Sequence, residues 1–515
     1  MKKQGTSTLR LLVATALAAL LALLGVSTRA FAAGETSGAD TTSTLGAGNI
    51  DVTKTGSINI HKYLNPTAVG GAANGEVQDN VSGTPLAGVQ FKITKLNLDL
   101  SNQANLKTAS TLTADDAAAL TTDTTYTVTT GADGSVSQAV PVGVYLVEES
   151  DVSGATANGQ AVTGIAKSAP FVVRVPMTSS DGKSWNYDVN VYPKNTNATV
   201  VKSVQDAGKN VGDTITYTIN TSVPSVADNS KRTKYVITDS INAGDANTNN
   251  TDVSDGAVAK VVQGDTVFTE GDDYTVTTSA TAPQFTISFT EAGLAKLTNG
   301  ATVTTTITAK IKAIGDSNGK IENTASLIYN NPNASGSDTD ITVPGNTVDT
   351  YLGKVQINKT GLDGKALSGA TFELYQCTDA TEAGLQGNAL TVNNATSFTT
   401  DTNGQAVIDG LHVTDFADNA AATQPSFCLK ETAAPAGYVL PEGDAAITKF
   451  TLTKAELQDA ATPVNIKALP AITNTASSTP SLPLTGGQGI ALIVVIGAAL
   501  LGGAYVVSRR NKKVA

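Results

Sequence analysis

Residues 214–223 read TITYTINTSV and residues 302–313 read TVTTTITAKIKA. Side chains of an extended chain point alternately to opposite faces, so a period of two directs Ile215, Tyr217 and Ile219 to one side and the threonines between them to the other. QFTISFT (284–290) and QAVIDGL (405–411) carry the same pattern, and clusters of Gly, Asn and Asp separate the runs. This is the signature of an all-β chain of half-buried strands joined by turns. Helical spacing is confined to TADDAAALTT (113–122), EAGLAKLTN (291–299) and TKAELQDA (453–460), expected as short helices between strands.

An internal repeat sets the organisation. GSINIHK (56–62) matches GKVQINK (353–359), TPLAGVQFKI (84–93) matches KALSGATFELY (365–375), and GVYLVEES (143–150) answers SFCLKET (426–432). Two domains of one type, 33–193 and 351–475, are therefore expected to flank a different one at 196–350. ASSTPS (476–481) reads as a flexible spacer, the first part of a linker and C-terminal signal at 476–488.

Both ends carry processing signals. Residues 1–32 have a basic start, an apolar run and a small-residue AFA site, the pattern of a cleaved secretory signal peptide. Residues 489–508 are long and apolar enough to span a bilayer, and Arg509, Arg510, Lys512 and Lys513 in the tail 509–515 orient it with the C-terminus inside. With eight of the 34 Lys and Arg in the two terminal segments, the body carries 26 basic against 45 acidic residues, a net charge near −19. Such a surface repels phosphate backbones and argues against a nucleic-acid partner. With two histidines and two cysteines, no zinc site and no familiar Ser-His-Asp elbow can be assembled. DANTNNTDVSD (245–255) lacks the glycine turn and the final glutamate of a calcium loop and reads as a surface loop. In an exported chain Cys377 and Cys428 are most simply one disulfide. Strand phase sets both opposite Phe372, Leu374, Phe427 and Leu429, so both are expected to face outward; the closed loop is worth on the order of 4 kcal/mol.

The phase of the strands singles out three sets of polar residues on apolar faces. Lys359 is in phase with Val355 and Ile357, Glu431 with Phe427 and Leu429, and Asn474 with Ile472. In the first domain Lys62 follows Ile58 and Ile60, Glu149 follows Tyr145 and Val147, and Asn195 follows Val189 and Val191. The middle domain supplies Lys202 with Val200 and Val204, Asp239 with Tyr235 and Ile237, and Asn323 with Ile321, Ala325 and Leu327. Desolvation lowers the pKa of a buried lysine and raises that of a buried carboxyl group. A neutral amine held against an amide can expel ammonia and leave an isopeptide bond, with the acid shuttling protons. No cofactor or metal is required.

Three motifs carry a family resemblance. WNYDVNVYPK (185–194) fits the pilin motif WxxxVxVYPK; FCLKETAAPAGY (427–438) fits the E-box YxLxETxAPxGY with Phe427 for tyrosine; and LPLTG (Leu482, Pro483, Leu484, Thr485, Gly486) fits the LPxTG sorting signal. Together they resemble a major (backbone) pilin of Gram-positive bacteria over essentially the whole chain. The resemblance implies tandem immunoglobulin-like β-sandwiches of the collagen-adhesin types, B-type at the flanks with a catalytic Glu and A-like in the middle with an Asp. The first domain departs from the full E-box, because YLVEES lacks the following APxGY.

The same resemblance implies that a class C sortase cleaves after Thr485 and passes it to the amine of Lys194 on another subunit, building a covalent fibre of identical subunits. Minor tip and base pilins and cell-wall peptidoglycan are the other implied partners; the sequence names no host receptor. Strand alternation divides the neighbours: if Asn195 faces the core, Lys194 faces solvent. Pro193 has no N–H to donate, so this segment is expected at a sheet edge or domain exit. The alternative is a monomeric wall-anchored adhesin in which Lys194 is idle.

Overall fold

The computed structural model of the chain describes residues 49–477 apart from 66–73, 80, 227–230, 242–252, 280–283, 313, 315–318, 332–339 and 459–465. The expected signal peptide, the sorting motif at 482–486, the apolar segment 489–508 and the tail lie outside the described residues, as does most of the 245–255 loop.

The fold is β throughout, with side chains placed as the alternation requires. In the first sandwich, strand Thr55–His61 lies between Asp188–Val191, parallel to it, and Ser135–Pro141, antiparallel. The facing sheet runs in the order Phe171–Val175, Gly143–Asp151, Gln90–Leu96, Thr122–Thr129. Ile58, Ile60, Phe91, Ile93, Tyr145, Val147, Val173 and Val189 fill the space between. In the middle sandwich the alternating runs at 214–223 and 302–313 are neighbours: Thr214–Ser222 pairs antiparallel with Thr302–Ile311. Ile215, Tyr217 and Ile219 are buried beside Val303, Ile307 and Ala309.

Strand Asp340–Gly361 is unbroken through positions 350 and 351, where a domain boundary is expected from the repeat. It pairs with Lys320–Asn330 as far as Tyr351 and with Gln405–His412 from Leu352 onward, so it changes partner without leaving a sheet. Polar groups are buried beside this crossing. The carboxylate of Asp206 accepts from the amide of Asp418 at 2.7 Å and from the Thr350 hydroxyl, and Asn210 accepts from the amide of His412 at 3.0 Å.

Short helices form at all three expected places, over Ala114–Ala118, Glu291–Lys296 and Lys454–Gln458. A fourth, Gln103–Thr111, has no apolar stripe to announce it and buries only Ala109; its start is fixed by Asn102, which accepts from the amides of Ala104 and Asn105. Cys377 and Cys428 are bonded and lie outside the main core, but they are not exposed as expected. Leu385 and Ile447 cover them in a small apolar cluster of their own.

Candidate crosslinking sites

Each of the three polar sets converges in space. In the first sandwich the short strand Tyr63–Leu64, which follows Lys62, and the strand that carries Asn195 are parallel neighbours, with Asn195 opposite Leu64, two residues past the lysine. Glu149 reaches them from the facing sheet. All three are buried. Lys62 Nζ donates to Glu149 Oε2 at 2.8 Å and to the amide oxygen of Asn195, while Asn195 Nδ2 donates to Glu149 Oε1 at 2.5 Å. The last sandwich repeats this geometry. Asn474 lies opposite Gly361, again two residues past its lysine. Lys359 Nζ donates to Glu431 Oε2 at 2.9 Å and to Asn474 Oδ1, and Asn474 Nδ2 donates to Glu431 Oε1 at 2.6 Å.

The middle site is assembled differently. Asp239 and Asn323 stand on antiparallel neighbours of one sheet, and Lys202 comes from the facing sheet. Lys202 Nζ donates to Asp239 Oδ1 at 2.6 Å, and Asn323 Nδ2 donates to Asp239 Oδ2 at 3.4 Å. The amide oxygen of Asn323 and the hydroxyl of the buried Tyr217 have no hydrogen-bond partner among the described residues.

All three sites share one feature that bears on chemistry: the two carboxylate oxygens are divided, one on the lysine nitrogen and the other on the amide nitrogen. An acid so placed can take a proton from an attacking amine and deliver one to a departing ammonia. Burial pushes the Lys62 ammonium down to about 8 and lowers Lys202 and Lys359 as well, each against the opposing pull of its carboxylate. Burial raises Asp239 above the ordinary carboxylate range, although Lys202 opposes the shift. An aromatic ring lies near each lysine: Phe91 at 5.6 Å from Lys62 Nζ, Tyr217 at 4.8 Å from Lys202 and Phe372 at 5.9 Å from Lys359. The matched phenylalanines of VQFKI and ATFELY were the available signal for two of these rings.

Lys194 begins strand Lys194–Asn197 and is half-buried, with its partner Tyr63 beside it, while Asn195 is buried on the opposite face. Among the described residues its ammonium meets no carboxylate within ion-pair distance. The strand is not at an edge: it lies between Ile165–Ala166 and Tyr63–Leu64. Pro193 instead occupies the gap between Asp188–Val191 and Lys194–Asn197, where its missing N–H breaks no ladder. Past Asn197 the chain leaves for the middle sandwich.

Sequence reasoning did not find Ser168. Its hydroxyl donates to Glu149 Oε2 at 2.6 Å and its amide to the same oxygen at 3.0 Å. At the other end of the body, the segment after Glu431 holds the chain's exit: Val439 N donates to Thr475 O at 3.0 Å and Ser477 N to Gly437 O at 2.8 Å. Thr485 lies beyond the described residues.

Comparison with known proteins identifies the family. A family profile described as the Gram-positive pilin subunit D1, N-terminal domain, matches residues 53–196; a prealbumin-like fold domain matches 353–465; and an LPXTG cell wall anchor motif matches 474–515. The chain is 33% identical to fimbrial subunit type 1 of Actinomyces viscosus, covering 83% of this chain and 85% of that one. It is 30% identical to fimbrial subunit type 2 of Actinomyces naeslundii, covering 90% and 92%. The solved structure of the full-length major pilin SpaD from Corynebacterium diphtheriae superposes with a TM-score of 0.73 at 37% identity, over 84% of this chain and 99% of that one. The chain therefore belongs to the Gram-positive fimbrial (major pilin) subunits: it is a structural subunit of a wall-anchored surface pilus and not an enzyme.

Proposed function

We propose that the shaft is held together by two kinds of amide bond. Between subunits, a pilus-specific sortase cleaves the Thr485–Gly486 bond, holds the Thr485 carbonyl as a thioester and transfers it to the Lys194 amine of the next subunit, releasing the sortase thiol. Minor tip and base pilins and peptidoglycan terminate the chain. Within each subunit, Lys62 joins Asn195, Lys202 joins Asn323 and Lys359 joins Asn474. In each case the neutral lysine nitrogen attacks the amide carbon, the new C–N bond replaces the old one, and the side-chain nitrogen leaves as ammonia. Glu149, Asp239 and Glu431 accept the lysine proton and return a proton to the leaving nitrogen. On this reading the body divides into a first domain ending at the pilin motif, a middle domain over 196–350 and a last domain over 351–475.

The observation that carries the intramolecular part is the split carboxylate, one oxygen on each nitrogen, repeated at three sites of two different constructions. Lys194, partly exposed and without a carboxylate in ion-pair distance among the described residues, beside the internal partner Asn195, supports the intermolecular part. The test is mass spectrometry of digested wall polymer, expected to yield a Thr485–Lys194 peptide and three internal crosslinked peptides. Lys194→Ala and Lys194→Arg should both abolish the covalent ladder while leaving a folded subunit, because arginine retains its charge and offers no free amine. A Thr485 peptide on another lysine, such as Lys183 or Lys209, would overturn the assignment.

A further inference from the structure

Ser168 gives Glu149 two hydrogen bonds that its counterparts lack among the described residues. The Ser168 hydroxyl donates to Oε2 at 2.6 Å and accepts from Lys62 Nζ at 3.4 Å. It therefore bridges the attacking nitrogen and the carboxylate oxygen that receives its proton. Ser168 sits between the short strand Ile165–Ala166, which pairs with the Asn195 strand, and Phe171–Val175, which pairs with the Glu149 strand. Among the described residues no hydroxyl hydrogen-bonds to Glu431 or Asp239. The last sandwich has the complete ETAAPAGY segment to brace its acid strand against the strand of Asn474, whereas in the first sandwich Glu149 is followed by Ser-Asp-Val, without the APxGY continuation.

We propose that Ser168 is a catalytic residue of the first domain's bond formation, and that it takes over there the orienting task the E-box extension performs in the last domain. This rests on the Lys62–Asn195 bond proposed above. The hydroxyl accepts a proton from the lysine nitrogen as the C–N bond forms and passes its own to Glu149 Oε2; the carboxyl group then gives that proton up to the departing amide nitrogen. Lysine amine plus asparagine amide become isopeptide plus ammonia, and serine and glutamate end as they began. The Ser168 amide, which is independent of the side chain, keeps the carboxylate in place during the transfer.

The experiment compares full-length chains carrying Ser168→Ala, Ser168→Val and Ser168→Thr with wild type, following the Lys62–Asn195 crosslinked peptide over time after synthesis. The Lys359–Asn474 peptide of the same molecules reports folding. Alanine and valine variants should form the first bond about tenfold more slowly, the worth of one hydrogen bond, while threonine restores the rate and the last domain's bond is unaffected. Threonine and valine have the same shape, so a packing role would make them alike. Equal rates for the two, or a wild-type rate in Ser168→Ala, would overturn the role of the hydroxyl. Absence of the Lys62–Asn195 peptide from wild type would instead remove the reading beneath it.

Discussion

In the first and last sandwiches the lysine and asparagine occupy adjacent parallel strands, and the acid reaches over from the facing sheet. In the middle one the acid and asparagine share a sheet and the lysine does the crossing. The difference matters for load. Lys359 and Asn474 lie on the first and last strands of their sandwich, so a bond between them shunts the whole domain. Lys202 is on a first strand too, but Asn323 is on the strand before the exit strand, which leaves 324–351 outside any bond. Lys194 adjoins Asn195, so tension entering through the proposed linkage at Lys194 would bypass the first sandwich altogether. With the proposed bonds in place, the parallel construction would spare a domain from extension and the crossed one would do so only in part.

The largest effect that would test this is in the last domain. Glu431→Ala should leave Lys359 and Asn474 unjoined, and pulling a single subunit through Lys194 and its C-terminus should then release the chain between them; the Cys377–Cys428 disulfide holds 51 of its 115 residues out of the extension, so the step is on the order of 200 Å. Wild type should show no such step. If the variant is as inextensible as wild type, Glu431 is not the acid or the bond is not there.

The middle domain should yield even when bonded. Asn323 pairs with Val348, and tension draws the two strands past each other. Breaking that ladder frees 323–348, on the order of 80 Å. A wild-type subunit with no step of this size would sink the distinction between the two constructions. Asp239→Ala should replace the short step by a much longer one.

Protonation distinguishes the sites more gently. In the proposed reaction the nucleophile is the neutral amine, and burial sets Lys62 at about 8. In the slowed Ser168→Ala chain, formation of the first bond should rise about tenfold per pH unit below 8 and level off above it, as the neutral fraction does. A rate independent of pH between 6 and 8 would mean that amine deprotonation does not limit the step.

What strand phase could and could not reveal follows from its nature. A period of two determines which face a residue takes, and Lys62, Glu149 and Asn195 on apolar faces were legible for that reason; so were the six corresponding residues of the other two sites. Phase carries no information on which strands become neighbours, so the crossed construction of the middle site was invisible. Cys377 and Cys428 show the same limit: the side of the sheet was right, yet Leu385 and Ile447, contributed by other segments, bury them. Ser168 lies in an irregular segment between two strands, where alternation has no meaning. Pro193 was read as an edge marker, and the chain satisfied the same constraint by ending one strand and beginning the next.

The smallest effect concerns the part of the middle domain left unbonded. Between Thr324 and Ser326 the pairing with the exit strand slips, and Gly345 and Asn346 occupy the bulge. A Cβ on Gly345 would meet Val200 Cγ1 at 2.7 Å, so the glycine lets the exit strand approach the lysine strand closely. Asn346 then acts as a substitute for a neighbouring strand: Lys202 N donates to its Oδ1 at 2.8 Å and its Nδ2 donates to Lys202 O at 2.9 Å. These two bonds tie the exit strand, which carries tension outside the crosslink, to the strand at which tension enters it. Asn346→Ala should remove about 1 kcal/mol per bond and lower the force at which 323–348 yields, without changing the length released. Asn346→Asp, which keeps the acceptor and loses the donor, should fall between. The last sandwich should be unaffected in either variant. An unchanged yield force in Asn346→Ala would mean that the ladder with Lys320–Asn330 alone bears the load.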